Sequence, residues 1–330
     1  MSPKTAKKAS AKAAAEDFGK VGVLYGGRSA ERDVSLMSGE GVHKALLSQG
    51  IDAHLFDTGE RSLEDLAKQK FDRVFIALHG RFGEDGTIQG ALEMLGIPYT
   101  GSGVMASSVA MDKVATKRVW ISQSIPTPDF VLLDAESDFL PVAGSLGLPL
   151  IMKPPHEGST LGVVKVIAAE DVRAAFAQAA QFEDVVLAES FVTGRELTVA
   201  ILGSARTARA LPIIEIVAPE GNYDYQNKYF TDDTKYVCPA ALSPELTERI
   251  QAICVKAYRS LGCEGWGRVD VMLDADDNPY LLEINTSPGM TGHSLVPMAA
   301  KAAGMSYEAV CVEILRDARC KVASAPPPQA

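Results

Sequence analysis

The chain has 330 residues, 47% of them hydrophobic and 22% charged, enough apolar content for two or three packed cores. The formal charge of −10 hides an asymmetry, because residues 1–16 hold four Lys and one Glu, which leaves −13 for the rest. An acidic body excludes broad nucleic-acid binding, which needs a basic footprint, so an anionic substrate must be met by locally placed cations or a metal. No run of about 18 apolar residues is present to span a membrane, and the first 16 residues lack the apolar stretch of a secretory signal. The five cysteines, Cys238, Cys254, Cys263, Cys311 and Cys320, form no C-x-x-C pair and read as reduced thiols of a cytoplasmic protein. Residues 1–17 and 324–330, the latter with a Pro-Pro-Pro run, read as disordered tails.

In chain order, a β-rich run at 20–24 is broken by Gly26-Gly27 and followed by a helical pattern over 34–47. A strand at 53–56, a polar helix at 63–69 and an apolar strand at 74–78 come next. Strand and helix in alternation predict a parallel sheet covered on both faces, so residues 18–101 form a doubly wound α/β domain. Such sheets bind ligands at the carboxyl ends of their strands, where residues 26–31 and 79–85 fall. Residues 102–188 predict an α+β module, with a helix over 111–123, strands at 130–133, 150–153 and 162–167, and a helix at 171–181. A second α+β module, residues 189–323, holds strands at 197–202 and 211–217, a long loop at 222–236 and a helix at 244–261. A loop of that length covers a site or is disordered.

The most informative segment is a predicted hairpin, 267–272 and 281–286, joined by turn-forming residues 274–279. Side chains alternate along a strand, so Arg268 and Asp270 share one face, as do Glu283 and Asn285. If the faces coincide, two carboxylates, an amide oxygen and a guanidinium converge. Hard oxygen ligands suit Mg²⁺ shared with substrate phosphates, and the Arg suits an anion beside it. The competing reading is a solvated hairpin with charges on its open face.

Other motifs are weaker. Gly101-Ser-Gly-Val-Met-Ala106 fits a dinucleotide fingerprint but lacks an acid near position 121. Asp274-Ala-Asp-Asp-Asn278 imitates an EF-hand start, yet Pro279 stands where the sharp turn needs Gly. Residues 153–162 place Lys153 at a strand end before a glycine-bearing turn whose N–H groups and hydroxyls could wrap phosphate, or which is a plain connection. Residues 186–196 add an apolar strand exit with Glu189 and Glu196, and with Lys113 and Lys153 opposite they outline a nucleotide cleft. His79 follows an apolar strand, as a catalyst or as a packed residue.

Taken together, Gly26 to Ser35, His79 to Gly86, Tyr99 to Met105, Lys153 to Gly162, Gly265 to Asp270 and Glu283 to Leu295 closely resemble the D-alanine:D-alanine ligases of the ATP-grasp superfamily, over about residues 19–320. The resemblance implies two α+β modules forming an ATP-grasp cleft, ATP between them, and two Mg²⁺ ions (Mn²⁺ as substitute) held by Asp270, Glu283 and Asn285. It implies nucleotide contacts from Lys113, Lys153, Ser159, Glu189, Phe191, Val192, Glu196 and Lys228. Glu31 would anchor the first D-alanine's ammonium in a region that includes His79, while Arg268 and the Gly289 N–H would stabilise its oxyanion. Ser294 and Leu295 would receive the second carboxylate, and Ser159, Tyr229 and Glu31 would fasten the 222–236 loop. Relatives that make a D-lactate ester carry His where Tyr229 stands, which implies D-alanyl-D-alanine as product. A homodimer in the cytoplasm completes the expectation, with neither nucleic acid nor membrane as partner. A biotin-linked carboxylase would lack residues 26–35, and an idle nucleotide-binding module would lack at least one of Arg268, Asp270, Glu283 and Asn285.

Overall fold

The computed structural model describes residues 17–158, 161–217 and 234–322; Ser159, Lys228 and Tyr229 lie outside them. Strands β1 (Val21–Tyr25), β2 (Ala53–Asp57) and β3 (Arg73–Ile76) form a parallel sheet of order β2-β1-β3. Helix α1 (Arg32–Ser48) covers one face, where Val42, Ala45 and Leu46 pack on Val21, Val23 and Phe75. Helices α2 (Leu63–Lys68) and α3 (Thr87–Leu95) cover the other, with Leu66, Ile88 and Leu92 on Leu24, Val74 and Ile76. Both faces are apolar because both are covered, as expected of a doubly wound sheet.

The helix expected over 111–123 is α5 (Lys113–Ser122), and a further helix that the sequence reading left unassigned, α4 (Val104–Met111), precedes it across a break at Asp112. The break follows from capping: Asp112 is extended, and its Oδ1 accepts from Val114 N (2.8 Å) and Ala115 N (2.9 Å). Both helices pack on the large sheet, where Ala106, Ala110 and Trp120 share a core with Leu197, Val269 and Leu281.

A four-stranded antiparallel sheet, β4-β7-β5-β6, comprises β4 (Phe130–Leu133), β5 (Leu150–Lys153), β6 (Val164–Val166) and β7 (Val186–Ser190). Helices α6 (Val142–Leu146) and α7 (Val172–Ala179) complete its separate core around Phe139, Met152 and Phe176. The chain then crosses to a six-stranded sheet, with β8 (Arg195–Leu202) pairing β10 (Ile214–Val217) and β12 (Trp266–Leu273). Short β9 (Arg209–Ala210) joins β8, β11 (Lys235–Val237) joins β10, and β13 (Pro279–Asn285) joins β12. Residues 235 and 236, expected within the 222–236 loop, therefore belong to an edge strand.

Helix α8 (Pro244–Ser260) backs this sheet through Ile250, Cys254 and Tyr258. Two helices that the sequence reading left unassigned, α9 (Leu295–Ala302) and α10 (Tyr307–Arg316), carry Val296, Ala299, Val310 and Ile314 into the core that contains Val23 and Phe75. The parallel sheet and the six-stranded sheet thus share one core. Gly101 and Gly265 make that junction possible: a methyl on Gly265 would lie 3.0 Å from Gly101 N, and one on Gly101 would lie 3.4 Å from Trp266 Nε1. That close approach accounts for Gly101 of the fingerprint-like 101–106 segment, whereas a methyl on Gly103 would meet Lys321 Cβ at 3.2 Å. No helix among the described residues is long and apolar enough to cross a membrane.

Candidate active site

The predicted hairpin forms with the register that brings its polar faces together. Arg268 pairs with Asn285 and Asp270 with Glu283, and the register shifts immediately after Asp270. Arg268 holds the Asp270 carboxylate bidentately, Nε to Oδ1 at 2.9 Å and Nη2 to Oδ2 at 2.7 Å. Asp270 also accepts from Thr198 Oγ1 at 2.6 Å and from Asn285 Nδ2 at 3.2 Å. Thr198 reaches it because β8 and β12 place Thr198 opposite Asp270.

Lys113, at the capped start of α5, donates from Nζ to the Glu157 carbonyl at 2.7 Å and lies 3.3 Å from Glu283 Oε2. The break at Asp112 therefore has a consequence for the site, since it aims the first residue of α5 at the hairpin. The two carboxylates and one amide are too few donors for an all-protein cage. They match a cation that completes its shell with phosphate and water; among the described residues no group of three or more His, Cys, Asp or Glu is arranged to hold a metal.

Lys113, Arg268, Glu283 and Asn285 line a cavity of about 140 Å³ with Glu31, Gly80, Gly289, Ser294 and Leu295. Glu31 caps α1, and its carboxylate sits where a methyl on Gly80 would come within 2.5 Å of Oε2. Gly158, from the loop after β5, faces the same carboxylate. Ser294 is the N-cap residue of α9, with its hydroxyl 2.9 Å from both Thr291 N and Thr291 Oγ1. The α9 N-terminus opens on the cavity, and such a terminus favours a carboxylate. Gly289 must be Gly for the same reason of space: a methyl there would lie 2.9 Å from Ser294 Oγ.

His79 lies behind the wall, 5% exposed, with Nδ1 2.7 Å from the Ser287 carbonyl and Nε2 3.1 Å from Ser38 Oγ. A carbonyl only accepts, so Nδ1 carries the proton and Nε2 accepts from Ser38. Burial lowers the pKa of this imidazole and keeps it neutral. The placement is that of the packed histidine, not of a group lining the cavity.

Glu84 was missed, although it lies in the 79–86 segment. It accepts from Gly80 N at 2.9 Å and Ser287 N at 3.1 Å, tying the loop after β3 to the hairpin's exit. Burial, and then the charge of Glu31, push its pKa up to about 8. Tyr236, on the edge strand, also reaches the cavity.

At the small sheet Glu189 is 3% exposed, and burial would raise its pKa, but Lys153 and Lys117 outweigh that and hold it below the usual range. Glu189 Oε1 takes the Lys153 ammonium, and Oε2 lies 2.9 Å from Lys117 Nζ. The second contact is an ion pair rather than a directed hydrogen bond, for no donor is aligned on Oε2. Lys117 was also missed; its only sequence signal is a position one helical turn after Lys113. Phe191 and Val192 lie on the crossing between the sheets, with Lys165 Nζ 3.8 Å from the Phe191 ring centroid. Glu196 sits on β8 opposite Met272 and Ile216.

Residues 55–102 match the family model described as the D-ala D-ala ligase N-terminus, and residues 119–316 the D-ala D-ala ligase C-terminus. The chain belongs to the D-alanine–D-alanine ligase family. A ligase of this name from Bordetella petrii is 66% identical over 310 residues, 94% of this chain and 95% of the relative. Another from Janthinobacterium is 63% identical over 309 residues, covering 92% and 97%. The crystal structure of the ligase from Bacillus anthracis complexed with ATP superimposes with a TM-score of 0.78 at 32% identity, covering 90% of this chain and 96% of that one. Glu31 and Lys113 fall outside the two family-model segments, while the Bordetella ligase match spans nearly the whole chain.

Proposed function

We propose that this ligase joins two D-alanines into D-alanyl-D-alanine, consuming ATP and releasing ADP and phosphate, as a step in making cell-wall precursor. One observation carries the reading: a carboxylate, a helix N-terminus and a guanidinium from separate parts of the chain meet one cavity beside the Asp270–Glu283–Asn285 face. A first carboxylate oxygen attacks the γ-phosphorus, breaking its bond to the ADP oxygen and giving D-alanyl phosphate. The second amine then attacks the acyl carbon, loses a proton, and phosphate leaves.

Each step assigns work to the chain's own groups. Glu31 binds the first ammonium. Arg268 and the Gly289 N–H stabilise negative charge on the acyl oxygen. Ser294 and the Leu295 N–H orient the second carboxylate at the α9 N-terminus. Lys113 and Lys153 meet phosphate oxygens, Glu196 takes the ribose, and Phe191, Val192, Ser159 and Lys228 complete the nucleotide's surroundings. Glu189 Oε2, a buried acceptor with no aligned donor, fits an exocyclic amine of adenine. Asp270, Glu283 and Asn285 would hold two Mg²⁺ ions, which neutralise charge on the transferring phosphoryl group. Arg268 now occupies Asp270 and has to release it for both roles. Tyr229 and Ser159 fasten the loop against water.

A homodimer in the cytoplasm is the accompanying expectation, and the five free cysteines accord with a reducing compartment. The test is purified protein with ATP, Mg²⁺ and D-alanine, assayed for ADP, phosphate and dipeptide. ATP turnover without dipeptide would overturn the assignment.

A further inference from the structure

Two lysines and one glutamate share the back of the proposed nucleotide cleft, and they are unequally placed. Lys117 is completely buried and held by three further groups: Thr127 Oγ1 at 2.7 Å, the Pro128 carbonyl at 3.1 Å and the Phe130 ring, whose centroid is 5.4 Å away. Lys153 stands at the carboxyl end of β5 with 9% exposure and is ion-paired with Glu189. Within this trio two ammonium groups face the one carboxylate of Glu189, and Asp129 adds a further negative field at Lys117. Lys117 has no route to a ligand without abandoning its three neighbours, whereas Lys153 has.

We propose that Lys117 is a resident counter-ion for Glu189, which lets Lys153 leave that carboxylate for the phosphates of the bound nucleotide. The inference rests on the ATP reading above and adds a positioning residue to it. The physical reason is the penalty of an unpaired buried charge. If Lys153 were the sole partner, its departure would strand Glu189 in a low-dielectric site, and phosphate binding would bear that penalty. With Lys117 in place the exchange leaves Glu189 compensated. Lys117 also spans the cleft: its helix α5 is anchored on the large sheet by Trp120, and Glu189 belongs to the small one.

The test separates phosphate from base. In Lys117→Met, Glu189 retains Lys153, so calorimetric affinity for ATP should fall by about tenfold or more, a fraction of what a stranded buried charge commands. Affinity for adenosine, which offers no phosphate, should change by less than about threefold on the same ground. In an E189Q background the carboxylate is absent, and adding K117M should then leave ATP affinity nearly unaltered. Lys117→Gln keeps donors for Thr127 and Pro128 while removing the charge, and reads the same quantity should the Met variant fail to fold. Equal loss for ATP and adenosine, or unaltered ATP affinity in both variants, overturns the proposal. Dipeptide formation by wild-type protein tests the functional reading separately, so the two failures are distinguishable.

Discussion

Replacing Arg268 with Met keeps a long apolar stem and removes the fork of donors, and the structure sets both its stability and its kinetic effect. Arg268 makes two charge-assisted bonds to Asp270, whose side chain is 12% exposed. After substitution that carboxylate keeps Thr198 and Asn285 but loses the guanidinium paired with it. Breaking a buried pair costs about 3–5 kcal/mol, and the two surviving hydrogen bonds reduce that here to about 2–4 kcal/mol. For a chain of this size the melting temperature should drop by about 3–6 °C. Arg268→Met combined with Asp270→Asn should recover most of the loss, because no stranded charge remains. Saturating Mg²⁺ with ADP should narrow the gap as well, since a cation on Asp270 supplies the missing charge. The kinetic effect is separate: loss of a donor aimed at the developing oxyanion should lower kcat by about 10²–10³-fold, with the D-alanine KM rising far less. Steady-state kinetics and differential scanning fluorimetry on the single and double variants measure both. A change confined to KM, or a double variant no more stable than Arg268→Met alone, would refute the reasoning.

Glu283→Gln should cut turnover by at least about 10²-fold while the protein stays folded, because the phosphoryl group loses charge neutralisation; activity within a few-fold of wild type at saturating Mg²⁺ would sink the ligand assignment. Glu84, whose pKa rises to about 8 on folding, binds its proton more tightly in the folded state. Stability from this group is fully present below the unfolded pKa of about 4.5 and is lost as pH rises through 8. Melting curves between pH 5 and 9 should therefore show Glu84→Gln gaining on wild type as pH rises, whereas parallel curves would remove Glu84 as the cause. With D-alanine and D-lactate competing at pH 7, mass analysis should find D-alanyl-D-alanine; predominant D-alanyl-D-lactate would contradict the inference drawn from Tyr229.

The hairpin was legible because a period of two is rigid: once 267–272 and 281–286 are strands, the polar faces of Arg268, Asp270, Glu283 and Asn285 need only the right register, and the pairing supplies it. The helix expected over 111–123 is recovered as α5, but it starts two residues later, at Lys113. Capping by the Asp112 carboxylate, which turns Lys113 toward Glu283, is a local hydrogen-bond choice that periodicity does not report. Lys117 and Glu84 were invisible for another reason. Charged residues in helices and loops are usually solvated, and only tertiary packing decides that Lys117 is buried and Glu84 half-buried. Helices α9 and α10 were missed because attention to the motif before them stopped at Leu295. Their apolar faces were present in the sequence, but what they cover is a sheet more than 200 residues earlier in the chain.

The distribution of cores constrains how the site can work. The parallel sheet and the six-stranded sheet are fused through one core, so Glu31 on α1, Ser294 before α9 and Arg268 on β12 ride on a single body. The four-stranded sheet has its own core and is joined onward through the crossing after Ser190. A rotation of that sheet would break no shared apolar packing, whereas separating the two substrate-bearing sheets would expose Val23, Phe75, Val296 and Ile314 together. Motion around a nucleotide should therefore shift Lys153 relative to that body and leave the spacing of Glu31, Arg268 and Ser294 unaltered, while Gly158 already faces Glu31. Helix α5 sits at the pivot of that motion. It is packed on the large body through Trp120, and it reaches Glu283 there with Lys113 and Glu189 on the small sheet with Lys117. On the proposed assignments, substrate geometry would be set by the shared body and phosphate contact by the separately packed sheet.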